Sequence, residues 1–348
     1  MALSQVGLER LNTATTKKIG TNKNIIINGA FQVAQRGTSS TSNGYKTVDR
    51  WFNDFGGLDE NATQAQSDVA SGTTPYTLGF RKSLKWTNGN QTSGAGAGDY
   101  IGFSQKIEAQ DIANSGWNYT SASSYITLSF WIKSSVAQNF YGYLHAQDGT
   151  AQNYPFETGS LSADTWTKIT KVIPGNSNLT FNNDNGVGLH LNLWAFIGTT
   201  YTGSVTLNQW GAFASGTRIP NNTTTWYTTN DATLEITGVQ LEVGSVATDF
   251  EHRSFGQELA LCQRYFYKPD VDSYLQPAYQ YGASNKMSLV EFPTTMRATP
   301  TCTKTYGNTT NSFTEYHPST SHYKAYVNGS PTDSNVYYLT AFQASAEL

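Results

Sequence analysis

Ile126-Thr127-Leu128-Ser129-Phe130-Trp131-Ile132-Lys133 places an apolar side chain at every second position. A period of two puts Ile126, Leu128, Phe130 and Ile132 on one face of a β-strand, with Thr127, Ser129, Trp131 and Lys133 on the other. The pattern returns at Val187, Leu189, Leu191 and Leu193, which alternate with Gly188, His190, Asn192 and Trp194. Ile101, Phe103 and Ile107 follow a glycine-rich turn, and Tyr76, Leu78, Phe80, Leu84 and Trp86 share one parity. Asn24-Ile25-Ile26-Ile27 is a β-branched run closed by the turn pair Asn28-Gly29. Strands of this kind, separated by Gly/Asn/Ser/Thr loops without intervening helices, predict an antiparallel β-sandwich.

A break lies within the segment Leu234, Ile236, Val239, Leu241 and Val243, where the apolar parity switches across Thr237-Gly238. A strand cannot change its buried face without an extra residue, so a β-bulge is predicted at Gly238. Near residue 254 the period changes. Ser254-Phe255-Gly256-Gln257 reads as a capping box, followed by Phe255, Leu259, Cys262 and Phe266 on one helical face before Pro269. Strand patterns resume at Met287–Phe292, Thr301–Tyr306, His322–Val327 and Val336–Phe342, with Asn328-Gly329 a hairpin signal. The expected organisation is an N-terminal arm (1–22), a sandwich (23–253), a linking helix (254–268) and a smaller C-terminal β domain (269–348).

Charged residues make up 14% of the 348 and aromatics 13%, a balance that suits sheets over helices. The net charge of −3 comes without a basic block, so the chain lacks the electrostatic footprint of a nucleic-acid binder. The amino-terminal stretch has no apolar signal region, and no run approaches the roughly 18 residues of a membrane span. Synthesis in a cytoplasm is expected. Asn-x-Ser/Thr triplets at Asn61, Asn118, Asn178 and Asn308 then reflect Asn/Thr richness instead of glycan sites. Two cysteines cannot support a disulfide framework, and Cys262 on the helix's apolar face reads as a buried structural thiol.

No metalloprotease, nucleophile-elbow, phosphate-loop or dinucleotide motif occurs, and no cysteine pair has metal-ligand spacing. No catalytic residue, metal site or cofactor is therefore assigned. Asp49, Glu108, Asp111 and Glu242 are the carboxylates from which a glycosidase pair could be drawn. The five histidines are scattered, and only His190 has an interpretable setting. The best-defined functional feature is the set of residues facing away from the aliphatic core. Trp131 lies with Lys133, and Trp194 with His190 and Asn192, on two strands. Indoles flanked by amides and a cation suit sugars, whose C–H faces stack and whose hydroxyls hydrogen-bond. The competing reading packs both tryptophans under loops or a second subunit. Trp86 and Trp166 are expected in the core.

Several segments are similar to bacteriophage virion appendage proteins, of tail-fibre or head-fibre type, that carry a carbohydrate-binding-module-like jelly roll. They include Asn24 to Phe31 with Gln35-Arg36-Gly37, Val48-Asp49-Arg50-Trp51, Gly98 to Glu108, Leu128 to Ser134, and Ile236 to Gly244. The most specific is Thr248 to Ser254 running into Leu261 to Tyr265. Phe292-Pro293, Met296-Arg297-Ala298 and Ala346-Glu347-Leu348 resemble that family's C-terminal module. The resemblance implies a jelly-roll sandwich, a homotrimer, a place on the virion, attachment to other virion proteins through the N-terminal arm, and contact with host-surface polysaccharide. Jelly rolls of this kind sometimes hold a structural calcium, but no Asp-rich loop marks one here. Two other roles fit the same resemblance: a head-decoration, adaptor or collar protein, and a glycan-degrading tailspike-like enzyme.

Overall fold

The computed structural model describes residues 23–269, 279–281, 285–307, 313–316, 318–328 and 338–348. The expected arm at 1–22, the Asn328-Gly329 turn and His317 lie wholly or partly outside them. The first strands are β1 (Ser39–Ser40), β2 (Phe52–Gly56), β3 (Thr63–Asp68), β4 (Lys82–Thr87), β5 (Tyr100–Glu108) and β6 (Tyr125–Ser134). Next come β7 (Asn139–Ala146), β8 (Gln152–Ser160), β9 (Thr167–Pro174), β10 (Val187–Ile197), β11 (Gly211–Ala212) and β12 (Thr233–Val243). One sheet, A, has the order β1-β3-β4-β12-β6-β9, and the other, B, the order β11-β8-β7-β10-β5-β2. All of these pairings are antiparallel. From β4 onward the chain passes β4-β5-β6-β7, then β8-β9-β10 and β12, giving facing sheets β4-β12-β6-β9 and β5-β10-β7-β8. That is the strand order of a jelly roll, and the fold class is fixed by it.

The core lies between the sheets, where the period-two residues interdigitate. Ile126, Leu128 and Phe130 from sheet A, and Leu189 and Leu191 from sheet B, are fully buried there together with Trp51, Trp86 and Trp226. β12 carries the expected bulge. Thr237 pairs with Trp131 and Gln240 with Ser129, so Gly238 and Val239 together oppose Phe130. Gly238 has φ +64°, and a Cβ there would stand 2.5 Å from the Phe80 ring. Gly238→Ala is expected to cost about 2 kcal/mol in urea denaturation, from left-handed strain plus displacement of Phe80. A loss under ~0.5 kcal/mol would show that the ring gives way freely.

Two local expectations change. Asn24 to Ile27 is not a strand, because side chains take the bonds a ladder would use. Asn24 Oδ1 accepts from the backbone N–H groups of Ile26 and Leu241, each at 3.0 Å, and Gln105 Oε1 accepts from Ile27 N–H at 2.9 Å. The parity at Tyr76 and Leu78 belongs to a short helix, α1 (Thr74–Thr77), with Pro75 in its first turn, and Leu78 is half exposed. Two more short helices, α2 (Ala109–Ala113) and α3 (Thr225–Thr228), occupy connections.

After the sandwich comes α4 (Phe255–Gln263), whose capping box is formed on both sides: Ser254 Oγ accepts from Gln257 N–H, and the Gln257 side chain returns to Ser254 N–H. Cys262 is fully buried, as its position on the helix demanded. Phe255, however, is 56% exposed, and Phe266 leaves the helix to form β13 (Phe266–Tyr267). The remaining strands are β14 (Tyr279–Tyr281), β15 (Asn285–Glu291), β16 (Thr301–Gly307), β17 (Phe313–Tyr316), β18 (His322–Asn328) and β19 (Tyr338–Ser345). They form the sheets β13-β19-β16 and β14-β15-β18-β17. A second hydrophobic cluster, including Val290, Phe292, Met296, Tyr323 and Phe342, sits among them.

Charges join this unit to the sandwich. Glu347 binds Arg36 at 3.1 Å and also binds Arg50, whose side chain is only 1% exposed. The Arg50 guanidinium lies 3.4 Å from the centre of the Tyr265 ring and donates to the Lys106 carbonyl at 2.6 Å. Arg264 grips the buried Glu108 with two bonds, 2.9 and 2.7 Å. Desolvation alone would raise the Glu108 pKa, but the bonds from Arg264 and its neighbours carry it below the usual range. Five of the family-like segments therefore meet in one seam.

Candidate functional site

Register places the residues that faced away from the core on two opposite surfaces. Trp131 and Lys133 are on β6, in sheet A; His190, Asn192 and Trp194 are on β10, in sheet B. The five residues cannot make one site, because the thickness of the sandwich lies between the two groups. The reason is topological. A strand's alternation says which residues leave the core, and only the strand order says through which side.

On sheet B the register builds three rows across the outer face. Asn153, His145, His190 and Lys106 form one row on β8, β7, β10 and β5. Pro155, Tyr143, Asn192 and Ser104 form the next, followed by Glu157, Tyr141, Trp194 and Gly102, with Asp54 beyond on β2. Trp194 packs over Gly102, where a Cβ would come within 2.4 Å of the indole. Its face is also covered. Tyr143 stacks on it at 6.5 Å and 26°, Tyr100 meets it edge-on at 6.1 Å, and it is only 3% exposed. Trp194 therefore serves as the floor of the face instead of a stacking platform. The half-buried rings around it are Tyr100, Tyr141 and Tyr201.

The segment 198–220 folds over one side of the face. Tyr201 lies edge-on to Tyr100 at 5.7 Å, and Phe213 stacks on His145 at 3.9 Å. The Arg218 carbonyl accepts from Asn153 Nδ2 at 2.7 Å. What remains is a polar row roofed at one end. His145 Nε2, His190 Nε2 and Asn153 Oδ1 are buried atoms with no hydrogen-bond partner. Asn192, deeply buried, only turns its amide back to the His190 carbonyl at 3.2 Å.

The electrostatics keep both imidazoles neutral. Burial, followed by the charges of Lys106 and Arg218 and the neighbouring His145, pushes His190 down to about 3. Burial, then Arg218, pushes His145 down to about 4. Gln147 Nε2 lies 3.5 Å from His190 Nδ1, which makes Nδ1 the acceptor and leaves the proton on Nε2. Burial raises the Asp54 carboxyl despite Arg218 and Lys106 nearby, and pushes the Tyr143 phenol up to about 12. Beneath the face lie a donor at His190 Nε2 and an acceptor at Asn153 Oδ1, both closed to solvent, and the face itself carries aromatic edges. These are the groups that take sugar hydroxyls and C–H surfaces.

Tyr141, Tyr143, His145 and Asn153 were not singled out from sequence. A signal existed for β7, whose outward Tyr141, Tyr143 and His145 alternate with inward Phe140, Leu144 and Ala146, but glycine at 142 breaks the apolar face. On sheet A, Lys133 is committed to Glu235 at 2.9 Å and lies 5.2 Å from the Trp166 ring, so Trp166 is half-buried outside the core. Of the carboxylates, Glu108 is held in the seam, and Asp49 receives Gln35 N–H at 3.1 Å. Glu242 accepts from Thr248 N–H at 2.7 Å. Among the described residues no group of three or more His, Cys, Asp or Glu side chains could hold a metal ion, and no helix is long and apolar enough to cross a membrane.

No protein-family model matches the chain, and no curated protein matches it. Among solved structures it is similar to the enzymatically active domain of tailspike protein 4 from bacteriophage CBA120, at 14% identity and a TM-score of 0.34. That match covers 64% of this chain and 22% of the tailspike chain. It is also similar to a protein from Bacteroides thetaiotaomicron described as a putative sugar binding protein, at 12% identity over 64% of this chain and 100% of that one, TM-score 0.34. A family 11 carbohydrate-binding module from Clostridium thermocellum, solved with a mixed-linked tetrasaccharide, matches at 14% identity over 61% and 98%, TM-score 0.27. The fold assignment rests on the strand order above and takes nothing from these scores.

Proposed function

We propose that the chain is a phage virion appendage subunit, of fibre or receptor-binding type, that contacts host-surface polysaccharide through the outer face of sheet B without catalysing a reaction. The observation that carries the binding reading is the row of unpartnered buried atoms, His145 Nε2, His190 Nε2 and Asn153 Oδ1, beside the rings of Tyr100, Tyr141 and Tyr201. A buried polar atom without a partner costs about 1–3 kcal/mol, and a hydroxylated ligand that reached this row would supply the missing partners. The sequence resemblance to appendage proteins supports the virion location, assembly as a homotrimer, and an attachment through residues 1–22. No cofactor is required by this reading.

Tyr141→Ala and His145→Ala are expected to weaken polysaccharide binding at least about tenfold, as ring and polar contacts at a site centre do. A glycan array followed by host-adsorption assays measures this. Unchanged adsorption in both variants would leave the structural alternative, a decoration, adaptor or collar protein. Light scattering of the full chain should give three chains per particle, and reducing ends released from host polysaccharide would overturn the non-catalytic part.

A further inference from the structure

The opposite face of the sandwich holds a cavity that the sheet B reading does not use. The bulge at Gly238 opens it, since the left-handed glycine leaves room for Phe80 directly over the β12 backbone. The segment after β12 then returns across sheet A. Glu242 holds Thr248 N–H at 2.7 Å, and Gln240 Oε1 accepts from Glu251 N–H at 2.8 Å, so Asp249 and Phe250 are set between two anchors and His252 directly follows the second. Phe80, Phe250 and His252 form a triangle of rings with centroids 4.9–5.0 Å apart. Trp131 packs half-buried against this group. The cleft has a volume of about 260 Å³, just below the range of roughly 300 Å³ and above that holds drug-sized ligands. It suits a single ring.

The polar groups lie at its edge. Lys168 is the direct cross-strand partner of Trp131, and Asp249 lies among the lining residues, both exposed. His252 Nε2 stands 2.9 Å from the Leu78 carbonyl oxygen. An oxygen of that kind only accepts, so Nε2 carries the proton and Nδ1 is the acceptor. One cation and one anion at the rim cancel, which favours a neutral ligand over a charged one. Two phenyl rings and an indole line the cleft beside Ser129 and Thr248, so a ligand that fills it carries an apolar group next to polar ones. From this geometry we infer that the cavity is a second carbohydrate site, independent of sheet B, that takes one neutral pyranose bearing an N-acetyl group. The acetamido methyl enters among Trp131, Phe80 and Phe250, while Lys168, Asp249 and His252 meet its amide and hydroxyls.

The test is saturation-transfer NMR on the full chain, with N-acetylglucosamine, N-acetylgalactosamine, glucose and galactose as probes. Transfer to the acetamido methyl of at least one N-acetyl sugar is expected, with titration giving saturable binding. Trp131→Ala should abolish it, and Trp131→Phe should restore part of it. Trp131 is half-buried, so a second variant guards against simple unfolding. The exposed pair Asp249→Ala/Lys168→Ala should weaken binding at least about tenfold with the thermal melt unchanged. No saturable transfer up to about 20 mM of any probe would overturn the site. So would transfer as strong to glucose and galactose, or methyl transfer undiminished in both the Trp131→Ala and the Asp249→Ala/Lys168→Ala chains.

Discussion

Glu347→Gln is expected to lower the unfolding free energy by about 3–5 kcal/mol. The Glu347 carboxylate bridges Arg36 and Arg50, and its side chain is 6% exposed against 1% for Arg50. Arg50 cannot lose its proton at any accessible pH and cannot reach water, so an amide at 347 leaves a buried guanidinium without its counter-charge. The ring of Tyr265 and the Lys106 carbonyl remain, but neither supplies a negative charge. Replacing both partners, Arg50→Met with Glu347→Leu, should cost less than the single change, because two apolar groups of similar reach carry no desolvation debt. Urea denaturation of the three chains measures the difference. A single-variant loss under ~1 kcal/mol would mean that water reaches the seam and screens it. The same variant should also separate the unfolding of the sandwich core from that of the smaller C-terminal cluster, since Glu347 connects the two.

Acidification should expose the sheet B row as a source of instability. His145 and His190 are neutral in the fold, held down to about 4 and about 3, whereas an unfolded histidine titrates near 6.5. Below about pH 6.5 the unfolded chain therefore takes up protons that the folded chain refuses, and stability falls as the pH drops toward those folded values. His190 alone accounts for a loss of about 2 kcal/mol at pH 5. His145 is less enclosed and contributes less. Asp49 works in the opposite direction. Burial, against Arg36 and the Gln35 amide, raises it to about 6, so the folded state binds its proton first and gains roughly 1 kcal/mol between pH 7 and pH 5. The net expectation for the native chain is a loss of about 1–2 kcal/mol over that window. Asp49→Asn should steepen the loss. His145→Asn/His190→Asn should reverse its sign, so that the variant is more stable at pH 5 than at pH 7. Denaturation midpoints at the two pH values decide this, and a native chain indifferent to pH would mean that the imidazoles are open to solvent.

Alternation at Ile126 to Lys133 and at Val187 to Trp194 correctly separated inward from outward residues. It does not say that β6 and β10 belong to different sheets, which is what puts Trp131 and Trp194 on opposite faces. The bulge was legible because a parity switch needs an extra residue, and Gly238 was the residue able to supply it. The capping box at Ser254 was legible because both halves lie within four residues. Asn24 to Ile27 misled for a different reason. Its β-branched composition suits a strand, but hydrogen bonds from Asn24 and Gln105 side chains compete with the ladder, and Gln105 is 78 positions away from Ile27.

Local pattern, which is all a sequence displays directly, was enough for an all-β sandwich, one bulge, one capped helix and, along β6 and β10, the residues that leave the core. Those features depend on periods of two and on neighbours a few positions apart. The sites depend on separations the chain alone does not show. Asn153, His145, His190 and Lys106 form a row only because β8, β7, β10 and β5 are hydrogen-bonded in that order. Trp131 acquires a cavity only because Phe80 and Phe250, 170 positions apart, close over the bulge at Gly238. Arg50 and Glu347, 297 positions apart, meet only once the C-terminal segment is docked, and there the carboxylate neutralises a buried guanidinium.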